Sequence, residues 1–321
     1  MTTLSTAKKQ ILFTLLKAML LGAGIYWFYY NFDKSSLNSS QLDSVFNNLN
    51  LFYLVLSVIL FILSWFLEAI KWQVLIKRTE EMSFKRSLIS VLSGTTASAF
   101  IPYKMGAYLG RMLYLKTKFK ARAIPATIIG NLLQSSITFI IGAIAIFSVN
   151  DIYPKDKNLF LILAIIILFF LATLPFYYKK IAKLINKFYR KIIKRKKLKL
   201  VSLYEKETIL KSWLLSLLRY LAFTFHFVLI LKGFGLEGSI LELGFAISII
   251  YFIQSFFPSL IVVDFGVKYT IALGVFIKLG FFSEVPQSNL NAILGIHYFL
   301  NSIVPVIIGA IGILFLKISN K

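Results

Sequence analysis

The stretch AFIPYKMGAYLGRMLYL, residues 99–115, decides how the chain is read. It continues an apolar run, yet it holds Pro102, Gly106 and Gly110 and adds Lys104 and Arg111. Proline removes a backbone donor and glycine loosens the backbone, so both interrupt a helix. Irregular backbone at membrane depth is tolerated where protein buries it or where it lines a watery cavity. The stretch therefore predicts a broken membrane helix with cations at the break.

The rest of the sequence supports a membrane setting. Of 321 residues, 58% are hydrophobic and only 15% are charged, too few charges for a soluble chain of this size. Apolar runs fall near 10–30, 51–70, 87–102, 123–148, 159–178, 213–233, 244–263 and 289–316. Several reach the roughly 20 residues that cross a hydrocarbon core. The expected class is an all-α polytopic membrane protein, with 1–321 as one integral membrane domain. Run 11–30 exceeds a signal-peptide core and no small-residue cleavage site follows it, so it is read as a retained span. The chain has no cysteine, which excludes disulfides, thiolate nucleophiles and cysteine metal sites. With two histidines and few acids, neither a metal centre nor acid–base catalysis is expected. The expectation is no enzyme, no cofactor and no metal.

Charge sets the topology. The net charge of +23 is read through the positive-inside rule, not as a nucleic-acid signal. Segments 71–86, 104–122 and 179–212, the last with KRKKLK at 194–199, belong on the cytoplasmic face. Loops 234–243 and 281–288 carry only Glu237, Glu242 and Glu284 and belong outside. Run 87–102 then joins two cytoplasmic segments, so it must enter and return. Stretch 244–280 joins two outer loops and must do the same from the opposite face. Six full spans and two re-entrant hairpins result, with both termini cytoplasmic; eight full spans is the alternative count. The Lys, Ile, Phe and Asn bias suggests a bacterial inner membrane. Anionic phospholipid headgroups are the expected partners of the basic face.

The two breaks echo each other. FIPYKMGAYLGR at 100–111 and FFPSLIVVDFGVK at 256–268 both place a glycine eight residues after a proline and then a cation. The pairs are Pro102 with Gly110 and Arg111, and Pro258 with Gly266 and Lys268. Entry from opposite faces is the signature of an inverted repeat around a central binding site. Its halves would be 51–178 and 213–316, joined by 179–212. A chance echo is the alternative, because Gly and Pro are frequent in membrane helices.

The order of spans and these breaks resembles the flippase-like transmembrane region of the lysylphosphatidylglycerol synthase family. Pro102, Lys104, Gly106 and Arg111 match that family's first break, Pro-x-[Arg/Lys]-x-Gly-Glu…Arg, and Asp264, Gly266 and Lys268 match its second. Ala107 stands where the family commonly has glutamate. The aminoacyl-transferring domain of full-length synthases is not expected here, so transfer of lysine to lipid is not implied.

The candidate site residues follow. Lys104, Arg111 and Lys268 would clamp a headgroup phosphate, since arginine binds phosphate bidentately. Asp264 is costly in lipid and is expected to pair with Lys268, four residues on, or with Arg111. Gly106 and Gly110 fit close helix packing. His226 and Arg219 are candidate coupling groups. His297 with Asn301 and Asn131 with Ser135 are polar i, i+4 pairs that either join helices or line a pathway. Glu68, Lys71 and Trp72 are read as interfacial anchors. The expected function is a lipid translocase; the alternative is a non-catalytic scaffold in envelope synthesis.

Overall fold

A computed structural model describes residues 49–101, 105–116, 119–120, 123–149, 204–256, 261–281 and 287–315. Of the described residues, 84% are helical and none lies in a strand. Among the described residues four helices are long and apolar enough to cross a membrane: Leu51–Ile76, Ala123–Ser148, Lys206–Gly233 and Ile293–Leu314. The runs near 10–30 and 159–178, and the basic segment with KRKKLK, lie outside the described residues.

Helix α1, Leu51–Ile76, shows how the sequence sets the packing. Ser57, Phe61, Ser64, Trp65, Glu68 and Trp72 recur at helical spacing and are buried. Leu51, Phe52, Val55, Ile59, Ile62 and Phe66 are exposed. The inward face is the more polar one, which suits a helix whose outer face meets lipid.

The chain continues as a short hairpin. Helix α2 is Phe84–Phe100 and helix α3 is Met105–Met112. They pack so tightly that a Cβ on Gly106 would lie 2.1 Å from the Ala97 carbonyl carbon. A Cβ on Gly110 would lie 2.3 Å from the Ser93 oxygen. Only glycine permits this approach. Ser90 Oγ donates to the Arg111 carbonyl, and Ser93 Oγ bonds Tyr114 Oη at 3.0 Å. The chain therefore reverses direction between α2 and α3. At about 12 Å, the eight-residue α3 is too short to cross a bilayer.

Helices α4, Ala123–Ser148, and α5, Lys206–Gly233, follow. α1 and α5 run antiparallel. Asn50 N donates to the Gly233 carbonyl at one end, and Arg78 pairs with Glu205 at the other. Next come α6, Ile240–Gln254, and α7, Ile261–Lys278, which form a second hairpin. Gln254 Nε2 donates to the Lys268 carbonyl near its tip, and Phe281 sits against Gly238 at its open end. Helix α8, Gln287–Tyr298, passes through a π-helical turn, Phe299–Ile303, into α9, Val304–Leu314. α9 packs on α2 through small residues, with Thr96 Oγ1 donating to the Val306 carbonyl and Gly309 against Leu92.

The hairpins open at opposite ends. The first opens beside the C-terminus of α1, where Glu80 pairs with Arg86 and accepts from the Lys116 amide. That end carries Lys77, Arg78, Lys85, Arg86, Lys116 and Lys206. The second opens beside Gly233, where Ser239 and Glu242 form a capping box. Two boundaries differ from the sequence reading. Run 244–263 is not one helix but stops at Gln254 and restarts at Ile261, so Asp264 falls in the first turns of α7 rather than at the break. Ser255 closes α6 by bonding back to the Phe252 carbonyl at 2.6 Å. Lys71, counted with the basic loop 71–86, belongs to α1, which continues to Ile76.

Candidate functional site

A carboxylate organises the inside of the bundle. Glu68 on α1 is 4% exposed. Its Oε1 lies 2.8 Å from Arg111 on α3, and its Oε2 lies 2.6 Å from Lys71 and 3.3 Å from Arg219 on α5. Gln134 on α4 accepts from Lys71 at 3.2 Å and from Arg219 at 3.4 Å, and donates to the Ser216 carbonyl. The Arg111 guanidinium lies 4.9 Å from the centre of the Trp72 ring, and that of Arg219 lies 5.7 Å from Trp65. Burial of charge is tolerable only with such partners. Removing Glu68 would leave two buried cations, Lys71 and Arg111, and the partly buried Arg219 facing one another.

These groups line a cavity of about 390 Å³. Arg111, Arg219 and Lys268 contribute positive charge to it, and Glu68 is its one carboxylate among the described residues. Among the described lining residues the formal surplus is two positive charges, three cations less one carboxylate. Arg111 Nε and Arg219 Nε have no hydrogen-bond partner among the described residues. Thr95, Ser98, Asn131 and Ser135 add neutral polar groups, and Trp65, Val91 and Val306 add apolar wall. Such a lining can hold an anion beside an apolar surface.

A second cavity of about 160 Å³ adjoins the first and shares Phe223, Lys268, Asn301 and Ser302 with it. His297 and Tyr251 line it as well. The Lys268 ammonium sits 5.9 Å from the centre of the Tyr298 ring. Among the described residues no group of three His, Asp or Glu side chains is assembled that could hold a metal.

The structure sorts the sequence candidates. Arg111, Lys268 and Arg219 meet in one cavity. Gly106 and Gly110 hold the hairpin that delivers Arg111. Gly266 lies in α7. Pro102, Lys104, Pro258 and the side chain of Asp264 lie outside the described residues. One reading is corrected. Glu68, Lys71 and Trp72 are not interfacial anchors; they are buried at the centre of the ion network. Arg111 pairs with Glu68. The sequence held a signal for Glu68, because an acid well inside an apolar helix and three residues before a lysine is costly unless paired. His226 is buried between Ser57 and Asn301.

These features define a polytopic helical membrane protein in which two helical hairpins, opening at opposite ends, bracket a cationic cavity. The chain matches the family described as lysylphosphatidylglycerol synthase TM region over residues 14–309, and it belongs to that family. Comparison with curated proteins found no match.

Proposed function

We propose that this protein is a lipid translocase of a bacterial inner membrane and that an anionic phospholipid headgroup passes through the larger cavity. The observation that carries the reading is the charge surplus of that cavity, set by Arg111, Arg219 and Lys268 against Glu68. Arginine offers a planar fork that fits two phosphate oxygens. The acyl chains stay in lipid while the headgroup moves.

Both hairpins are read as re-entrant, from opposite faces. Together with the runs near 10–30 and 159–178 they leave six full crossings, and both termini fall on the cytoplasmic, basic side. The basic face gathers anionic lipid. The cavity then opens alternately to the two sides as one hairpin shifts against the spans. The chain is read as a carrier, not an enzyme.

The test is movement of fluorescent lipids in proteoliposomes. Wild type should move phosphatidylglycerol faster than phosphatidylethanolamine. Arg111→Ala, which leaves Glu68 paired with Lys71 and Arg219, should slow phosphatidylglycerol by about tenfold or more, the scale of one charge-assisted contact. Folded wild type that moves no more lipid than protein-free vesicles would overturn the reading in favour of a scaffold.

A further inference from the structure

Three side chains near the headgroup cavity are linked in a way that headgroup binding does not use. His226 Nδ1 donates to the Ser57 carbonyl at 2.9 Å, and Ser57 Oγ lies 2.8 Å from the same nitrogen. On its other edge, His226 Nε2 accepts from Asn301 Nδ2 at 3.0 Å. The same Asn301 nitrogen lies 2.9 Å from His297 Nδ1. One amide NH₂ thus serves two imidazoles whose ring centres are 5.7 Å apart. His297 is stacked on Phe227 at 3.5 Å, and His226 is fully buried.

The arrangement has a second hydrogen-bonded state within reach. Asn301 Oδ1 is buried without a hydrogen-bond partner among the described residues. When either imidazole gains a proton, its new N–H faces the amide. A half-turn of that amide then presents Oδ1 as acceptor to the new N–H, in exchange for the Nδ2 donation to the His297 carbonyl at 3.2 Å. Asn301 also sits in the π-helical turn Phe299–Ile303. A π-turn carries one residue more than the α-helical ladder accommodates and is often found at functional sites.

Its position suits coupling. Ser57, which holds His226, precedes Glu68 by eleven residues on α1, a displacement of about 16 Å toward the end where the second hairpin opens. The smaller cavity, lined by His297, Asn301 and Lys268, leads from this site to the larger one. Among the described residues, the ionisable groups that line the two cavities beside the pair are Glu68 on α1, Arg111 on α3, Arg219 on α5, Tyr251 on α6, Lys268 and Tyr269 on α7, and Tyr298 on α8. The neighbouring helices α2, α4 and α9 offer the cavities only neutral groups, such as Thr95, Gln134 and Val306. Lys268 is common to both cavities, so its charge opposes a proton on the imidazoles. A phosphate held against Lys268 removes that opposition.

We propose that His226 and His297, bridged by Asn301, form a proton site, and that one proton enters as an anionic headgroup binds. The inference rests on the translocase reading and names its coupling ion. The proton comes from cavity water, forms one N–H bond on an imidazole, and leaves to water when the headgroup departs. Repulsion between the rings limits the pair to one proton. Linkage is reciprocal, so acid on the loading side strengthens headgroup binding and a proton gradient drives transport.

The experiment measures proton uptake on binding. Purified protein is titrated calorimetrically with short-chain phosphatidylglycerol near pH 6.5, in two buffers of different ionisation heat. Wild type should take up about one proton per headgroup at saturation of the linkage. His297→Gln, which keeps an amide in place of the ring, should bind several-fold more weakly with uptake near zero. His226→Gln is the second variant, and both are checked for monodispersity and thermal midpoint. Zero uptake by wild type, or full uptake by both folded variants, overturns the inference. Fluorescent-lipid movement at equal pH on both sides separates the two readings. Movement without proton uptake sinks the coupling alone, whereas absence of both binding and movement sinks the translocase and the coupling with it.

Discussion

The two hairpins share a shape and differ in what holds them. The first, α2 with α3, is closed by backbone against backbone, with Gly106 on Ala97 and Gly110 on Ser93 and Gly94. It is then pinned to the spans by charge, through Arg111 and Glu68. The second, α6 with α7, is held by large side chains. Phe139 on α4 meets Phe252 and Phe256 edge-on, and Phe276 packs with Phe227 and Phe281. A contact between backbones has no slack, whereas ring contacts can slide. The first hairpin therefore has less room to shift than the second.

Four substitutions break or sharpen this contrast, from the largest effect to the smallest. Glu68→Leu should cost about 3–5 kcal/mol, because Lys71, Arg219 and Arg111 lose their shared counter-charge inside the bundle. A collapse of monodisperse protein in detergent, rescued in part by Arg111→Met, would register it. Gly106→Ala should cost about 3 kcal/mol, at the top of the range for overpacking, since the new methyl meets the Ala97 backbone. Gly142→Ala on α4 meets the Phe252 side chain, its Cβ at 2.5 Å and its ring at 2.9 Å, and admitting the methyl requires α6 to shift. Its cost should be about 1 kcal/mol, read as a small drop in thermal midpoint. Ser239→Ala removes the α6 cap and should cost at most about 1 kcal/mol. Equal losses from Gly106→Ala and Gly142→Ala would erase the distinction between the hairpins.

The sequence foretold the break at 99–115 because proline, glycine and unpaired charge are each costly in a lipid-facing helix, and their coincidence has few solutions. The opposite openings were legible from charge alone, since basic and acidic loops alternate out of step with the apolar runs. Arg111, Arg219 and Lys268 were legible one at a time as cations at membrane depth. Their meeting was not, because it depends on how α1, α3, α5 and α7 pack, and no local pattern encodes that. Glu68 was hidden by its neighbours. Lys71 and Trp72 look like a helix end meeting the interface, and only the continuation of α1 to Ile76 places them inside. The interruption of run 244–263 was legible from Pro258, and only its bounds, Gln254 and Ile261, were not.

The measurement that tests the account most directly uses the absence of cysteine in the chain. Single cysteines at Lys85, beside the opening of the first hairpin, and at Glu237, beside that of the second, are labelled with a membrane-impermeant maleimide in right-side-out and inside-out vesicles. Both positions are exposed, so neither substitution disturbs packing. The account predicts that Lys85→Cys reacts only in inside-out vesicles and Glu237→Cys only in right-side-out ones. Reaction of both from the same face would contradict two hairpins inserted from opposite sides around one cavity.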